Sequence, residues 1–235
     1  MYSNLPKFLA ADKASWALKA FYVSTWSWII DLSSLWTTVT AVNTPTYKRK
    51  MWMKTWETNW SNQYFTLPNT DTFWVAASNW SLSLFCNTDN FTTTGWENAL
   101  YEWARNDSAI IYITMWETAI KTYRIVFRDN WATHAIDLFA NDPLITINKW
   151  FMFSVTWNNT SKVLNFYCNW ALINTATSAS MSLTTASSVS KHELCRWAAS
   201  RYFDGQCWNF MFWNRTLSQT ETQELYYSMW ELTFT

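Results

Sequence analysis

Asn148-Lys149-Trp150-Phe151-Met152-Phe153-Ser154-Val155-Thr156-Trp157-Asn158-Asn159-Thr160-Ser161-Lys162-Val163-Leu164-Asn165-Phe166-Tyr167-Cys168-Asn169-Trp170 is the stretch on which the fold turns. From Lys162 to Cys168 it alternates: Val163, Asn165 and Tyr167 project to one side of an extended chain, and Leu164, Phe166 and Cys168 to the other. A period of two with one continuous apolar set describes a half-buried strand of a sandwich. Trp150 to Trp157 is a neighbouring run of aromatic and β-branched residues, and Asn169-Trp170 follows as a turn.

The same signal recurs outward in both directions. Leu18 to Val23, Gln63 to Leu67, Ser81 to Cys86, Ala109 to Met115, Thr122 to Arg128, His134 to Phe139 and Asn209 to Trp213 are short β-branched and aromatic runs bounded by turn residues. One segment breaks the pattern. Ser218-Gln219-Thr220-Glu221 is a capping box, followed by Leu225, Tyr226 and Met229 at helical spacing. Many short strands and a single late helix predict an all-β fold: a two-sheet antiparallel jelly-roll sandwich with one short C-terminal helix. No linker or charge run divides the chain, so residues 1–12 are expected as a lead segment and 13–235 as one domain.

Composition carries an anomaly. The chain has 20 Trp and 2 Gly, where about 7% Gly, roughly 16 residues, is ordinary. Asn59-Trp60, Asn79-Trp80, Asn130-Trp131 and Asn169-Trp170 place Trp where a hairpin would carry Asn-Gly. A bulky aromatic held at φ > 0 costs about 1 to 3 kcal/mol. Most of these tryptophans are therefore expected to be glycines in the living protein, through a UGA codon read as glycine by the source. Trp26, Trp28, Trp52, Trp56 and Trp60 then read as backbone punctuation rather than as an aromatic platform.

Charge excludes some partners. The formal net charge is +0 and only 14% of residues are charged, so no electrostatic footprint for nucleic acid or an anionic membrane is present. The apolar segments are too short and interrupted to cross a bilayer as a helix. The first 15 residues lack the apolar core of a secretory signal. Cys86, Cys168, Cys195 and Cys207 lack metal-site spacing; a Cys195–Cys207 disulfide and four buried thiols both fit.

Read with Trp as Gly at turns, residues 148 to 229 resemble the C-terminal half of the laminin-G-like, concanavalin A-like lectin/glucanase jelly roll. Phe151 to Trp157 is similar to the family's W-h-h-v-a-v-T-w strand, and Leu164 to Trp170 to its l-Y-v-N-G hairpin. Phe203-Asp204-Gly205-Gln206, then Asn209 to Trp213 and Asn214-Arg215-Thr216-Leu217-Ser218, match f-d-G-x-i-d-d-v-x-i-w-n-r-a-L-s. Asp31-Leu32-Ser33-Ser34 resembles the D-x-S-G loop upstream. The resemblance puts Trp150, Trp157 and Trp213 at aromatic positions and Trp170, Trp197 and Trp208 at glycines. Trp80 fits either. Trp131, Trp170 and Trp197 are accordingly expected to be exposed at turns or strand ends, and Trp150, Trp157 and Trp213 to be buried in strands.

The resemblance implies a structural calcium ion between the D-x-S-G loop and the last strand, held by Asp31 and by a position that here is Asn209. The alternative is that both hydrogen-bond loop backbone. Family glycanases use an E-x-D-x-x-E run, which is absent. Glu97 and Glu102, five apart, fall on opposite faces of a strand and read as solvated surface. His134 and His192 stand near no nucleophile signature. No enzymatic activity is expected. The reading is a non-enzymatic binding or adhesion module, extracellular on a bacterial surface or on a phage particle. Its partners would be a glycan or a surface protein, with oligomer formation open. A structural domain that self-assembles in a virion or surface layer is the alternative, followed by a glycan-active hydrolase or lyase.

Overall fold

A computed structural model of the chain describes residues 6–15, 17–24, 29–33, 38–50, 53–59, 62–68, 79–88, 98–105, 109–117, 121–130, 134–141, 149–179, 189–197 and 201–234. Expectations for Glu97, Trp26, Trp28, Trp52, Trp60 and Trp131 fall outside these residues, and of His134 and Trp197 only the backbone is described. The strands are β1 (Leu18–Ser24), β2 (Ile29–Asp31), β3 (Thr40–Val42), β4 (Thr46–Lys50), β5 (Met53–Thr58), β6 (Tyr64–Thr66), β7 (Trp80–Thr88), β8 (Asn98–Arg105) and β9 (Ala109–Glu117). They continue with β10 (Lys121–Asn130), β11 (His134–Asn141), β12 (Phe151–Asn158), β13 (Val163–Cys168), β14 (Ala171–Thr177), β15 (Val189–Leu194), β16 (Arg196–Trp197), β17 (Arg201–Tyr202) and β18 (Gly205–Trp213). Two helices flank them, α1 (Lys7–Ala14) and α2 (Gln219–Phe234).

Sixteen of these strands form two antiparallel sheets, and β16 and β17 pair as a separate two-stranded ribbon. The larger runs β14-β13-β12-β7-β18-β1-β2, with β5 beside the first part of β18 and β4 outside β5. The smaller runs β11-β10-β9-β8-β15-β6-β3. Leu82, Leu84, Val155 and Phe166 of the first sheet meet Leu100, Ile113, Ile125 and Phe127 of the second in one continuous apolar layer. The period-two reading of β13 holds: Leu164, Phe166 and Cys168 are buried in that layer. This is the expected sandwich.

The outer face of the larger sheet is closed by both helices. Leu9 of α1 and Leu225 and Met229 of α2 pack on Phe21, Phe85, Met152, Met211 and Trp213. The capping box forms as read: the Glu221 N–H donates to Ser218 Oγ at 3.2 Å, and Glu221 Oε2 accepts the Ser218 N–H at 2.8 Å. Helix α1 falls largely within the expected lead segment, residues 1–12. Pro6 precedes α1 and no side chain caps it, so its local signal is weak. Tertiary contacts hold it instead. Arg215 grips Asp12 bidentately at 2.8 and 2.7 Å and Glu221 at 2.6 Å, tying both helices to one guanidinium.

The described tryptophans sort by depth. Trp157 and Trp213 are buried within strands, Trp150 is half-buried at the start of β12, and Trp170 is 37% exposed at the β13–β14 turn. Trp80 resolves as core, edge-on to Phe127 at 5.5 Å and stacked on Phe212 at 6.4 Å. Trp56, read as punctuation, is instead a fully buried β5 residue packed edge-on against Phe65. Trp208, placed at a family glycine, is buried against Phe85. Among the described residues, φ is positive at Asn169 in the hairpin turn and at no tryptophan. The indole N–H groups of Trp80, Trp103, Trp157 and Trp213 have no hydrogen-bond partner. Burying each ring gains about 5 kcal/mol, which exceeds the roughly 1 to 3 kcal/mol of a lost N–H bond. Sequencing the gene is expected to show UGG at Trp56, Trp80, Trp103, Trp157 and Trp213 and UGA at Trp170; UGG at Trp170 or UGA in the core set contradicts it.

His192 lies under the smaller sheet, wholly buried. Its Nδ1–H donates to the Pro68 carbonyl at 2.9 Å and its Nε2 accepts the Tyr101 hydroxyl at 3.1 Å. Burial pushes its pKa down from 6.5 to about 4, with the Pro68 bond pulling the other way. Between those values the unfolded chain carries the extra proton, so stability is lost as pH falls through that window. Urea midpoints of the wild type are expected to fall by about 3 kcal/mol in stability from pH 7 to pH 4, more steeply than those of His192→Gln; parallel pH profiles for the two proteins contradict it.

Candidate functional site

Both helices pack on the larger sheet, and the outer face of the smaller sheet carries a small buried cluster of its own, Ala104, Tyr112 and Val126. Because the period-two alternation sends Tyr101, Trp103, Ile111, Ile113, His192 and Leu194 inward, it turns Glu102, Tyr112 and Glu193 outward. Antiparallel register aligns these into one row: Thr66 stands opposite Glu193, Glu193 opposite Glu102, Glu102 opposite Tyr112 and Tyr112 opposite Val126. Directly opposed residues have Cα atoms about 4.5 to 5.5 Å apart. Two carboxylates thus lie side by side, Glu102 only 3% and Glu193 only 7% exposed.

Cations flank the pair. Lys191 Nζ approaches Glu102 Oε1 at 4.0 Å, and Arg196 Nη1 bonds Glu193 Oε1 at 2.9 Å. The Arg196 guanidinium lies 4.4 Å from the Tyr64 ring centre and 5.9 Å from that of Tyr202. The two tyrosine rings are half-buried, 6.2 Å apart and tilted, at the rim of the row. On the other side Arg124 stands over Tyr112 at 5.9 Å. Among the described residues, Glu193 Oε2 and, two residues along β9 from Tyr112, the Thr114 hydroxyl are buried with no hydrogen-bond partner. Burial pushes the Glu193 carboxyl above its usual range; Arg196 and Lys191 pull it back, while Glu102 pushes it further up. A carboxyl so placed is nearer the point where it donates as well as accepts a hydrogen bond. Planar ionic groups beside tyrosine rings suit a ligand rich in hydroxyl groups.

Sequence reasoning reached this site only in part. Glu102, read as solvated surface, is buried, and it stands opposite Glu193. The pairing joins residues 91 positions apart and depends on the β8–β15 register, which no local pattern encodes. The retrospective signal is Val189-Ser190-Lys191-His192-Glu193-Leu194, where charges alternate with His192 and Leu194.

The two expected calcium ligands have separate hydrogen-bond partners. Asp31 Oδ1 accepts the Ser33 and Phe21 N–H groups at 2.8 and 3.2 Å, and its Oδ2 accepts the Ser33 hydroxyl at 2.9 Å. Hydrogen-bond donors, not a cation cage, surround it. Asn209 sits in a bulge of β18 at φ 52, with its amide donating to Met229 Sδ of α2 at 3.2 Å. Its Oδ1 is buried without a hydrogen-bond partner among the described residues. Among the described residues, no group of three or more His, Cys, Asp and Glu side chains is disposed to hold a metal.

The chain is structurally similar to several toxin binding domains. It aligns with the binding domain of botulinum neurotoxin DC, in complex with rat synaptotagmin II, at TM-score 0.75 and 13% identity, covering 93% of this chain and 52% of the other. The binding domain of Paraclostridial Mosquitocidal Protein 1 aligns at TM-score 0.74 and 17% identity, covering 91% and 52%. A structure of botulinum neurotoxin type C, whose cell entry is described as dependent on two ganglioside molecules, aligns at TM-score 0.74 and 12% identity, covering 94% and 53%. At such identities the likeness is one of fold, and the chain spans about half the length of these domains. No curated protein sequence matches it. Residues 59–223, most of the chain, match the family described as the concanavalin A-like lectin/glucanases superfamily. The sandwich, its register and this match lead to one conclusion: the chain belongs to the concanavalin A-like lectin/glucanase superfamily.

Proposed function

We propose that the chain is a non-enzymatic recognition module that binds a glycan on the outer face of its smaller sheet, displayed at a bacterial surface or on a phage particle. The observation that carries the reading is the Tyr64–Tyr202–Arg196–Glu193–Glu102 cluster, in which half-buried Tyr64, Tyr202 and Arg196 form the accessible rim beside two buried carboxylates. The ganglioside and synaptotagmin partners named for the structural neighbours support glycan or surface-protein ligands as a class.

A second reading has its own observation. Trp170, Leu172 and Tyr227 are the large apolar side chains that the described residues expose, and the Trp170 and Tyr227 rings lie 6.3 Å apart beside the edge strand β14. Such a patch suits self-assembly in a surface layer or virion.

A glycan array with the purified protein is expected to give a ligand whose Kd weakens about tenfold or more in Tyr64→Ala and in Arg196→Ala. Loss of no affinity in either variant removes the site. Absence of any ligand, together with self-association in sedimentation that Leu172→Glu abolishes, replaces recognition by assembly. New reducing ends that vanish in Glu193→Gln replace it by catalysis.

A further inference from the structure

Cys195 and Cys207 belong to different sheets and meet inside the sandwich. Their sulfurs are 3.6 Å apart and both residues are wholly buried in the central apolar layer. Cys207 lies in the middle of the larger sheet, in β18, while Cys195 follows the last residue of β15 in the smaller one. The backbone at Cys195 is held on both sides: its N–H donates to the Leu100 carbonyl at 2.9 Å, and its own carbonyl accepts the Phe203 N–H at 3.0 Å. It also carries φ 66, a left-handed conformation unusual for cysteine. Cys86 stands directly opposite Cys207 in the β7–β18 register, which makes it the competing partner.

We propose that Cys195 and Cys207 form a disulfide that staples the two sheets together. The bond needs the sulfurs to close by about 1.5 Å, to the roughly 2.05 Å of a disulfide, a movement within reach of side-chain rotation. In the reaction each thiol loses a proton, and the pair gives two electrons to an external disulfide. That oxidant, glutathione disulfide or a thiol–disulfide oxidoreductase, is reduced to two thiols through a mixed-disulfide intermediate. Burial pushes the Cys207 thiol up, as does its contact with Cys195. Thiolate attack is therefore slow in the closed sandwich and fast before it closes, so the bond forms during folding and is shielded from reductants afterwards.

The bridge encloses β16 and β17, which carry Arg196 and Tyr202. It anchors that hairpin directly to β18, beneath the carboxylate row. The pairing stands independently of what ligand the outer face binds, because it is read from the protein alone.

The test uses wild-type protein refolded in a reduced and oxidised glutathione buffer, blocked with N-ethylmaleimide in acid denaturant and digested without reduction. Mass spectrometry is expected to find a peptide linking Cys195 to Cys207, with Cys86 and Cys168 alkylated. Four alkylated cysteines, or a Cys86–Cys207 link, overturn the proposal. The oxidised protein is further expected to melt roughly 5 to 10 °C above the same protein after reduction in denaturant and refolding with dithiothreitol. Equal melting points would show that the bond, even if formed, staples nothing.

Discussion

The larger sheet depends on the passage of β18 between three neighbours at a point where no side chain can stand. Gly205 pairs with Thr88 on one side and Thr58 on the other. A Cβ there would lie 2.2 Å from the Asn87 carbonyl oxygen and 2.9 Å from the Thr88 Cα, both rigid backbone. The flanking threonines complete the approach, Thr58 bonding the Phe203 carbonyl at 2.9 Å and Thr88 that of Asp204 at 3.2 Å. With that contact made, all nine residues of β18 are buried and the strand becomes the spine on which β7, β1 and β5 assemble. In a chain of 20 tryptophans and 2 glycines, Gly205 stands where backbone meets backbone.

From that spine the two faces of the sandwich diverge. The larger sheet presents Phe21, Phe85, Met211 and Trp213 outward, and such a surface requires cover, which the two helices supply. The smaller sheet presents Glu102, Lys191 and Glu193, which the helices leave alone. Burying two opposed carboxylates costs several kcal/mol of desolvation unless cations and donors offset it. Lys191 and Arg196 do so in part, while Glu193 Oε2 is left without a bond. An unpaired buried carboxylate oxygen of this kind is uncommon in folded proteins.

What was legible in the sequence was what is local. The β13–β14 hairpin follows from the alternation of Val163 to Cys168 and from Asn169, whose left-handed φ of 58 turns the chain. The α2 cap follows from Ser218 and Glu221, three residues apart. The resemblance to the family's f-d-G segment located Gly205. What was not legible depends on partners far away in sequence. Helix α1 has no cap and a short apolar face, and is secured by Arg215, 203 residues from Asp12. Trp56 reads as punctuation until β5 is seen against β18. Glu193 carries no signal as a site residue until register sets it across from Glu102. The Asp31 and Asn209 expectation meets the same limit: a motif names donor atoms, and only packing decides what those atoms face.

The pairing of β1 with β18 brings the first strand of the chain beside its last. A ribosome delivers β1 and β7 long before the strand that belongs between them, so during synthesis both wait with unsatisfied backbone edges and bare apolar faces. Contacts of such long sequence separation fold slowly, and waiting edges invite pairing with neighbouring chains. The architecture that gives the finished sandwich its interlocked centre therefore makes the nascent chain dependent on protection until residue 213 has emerged.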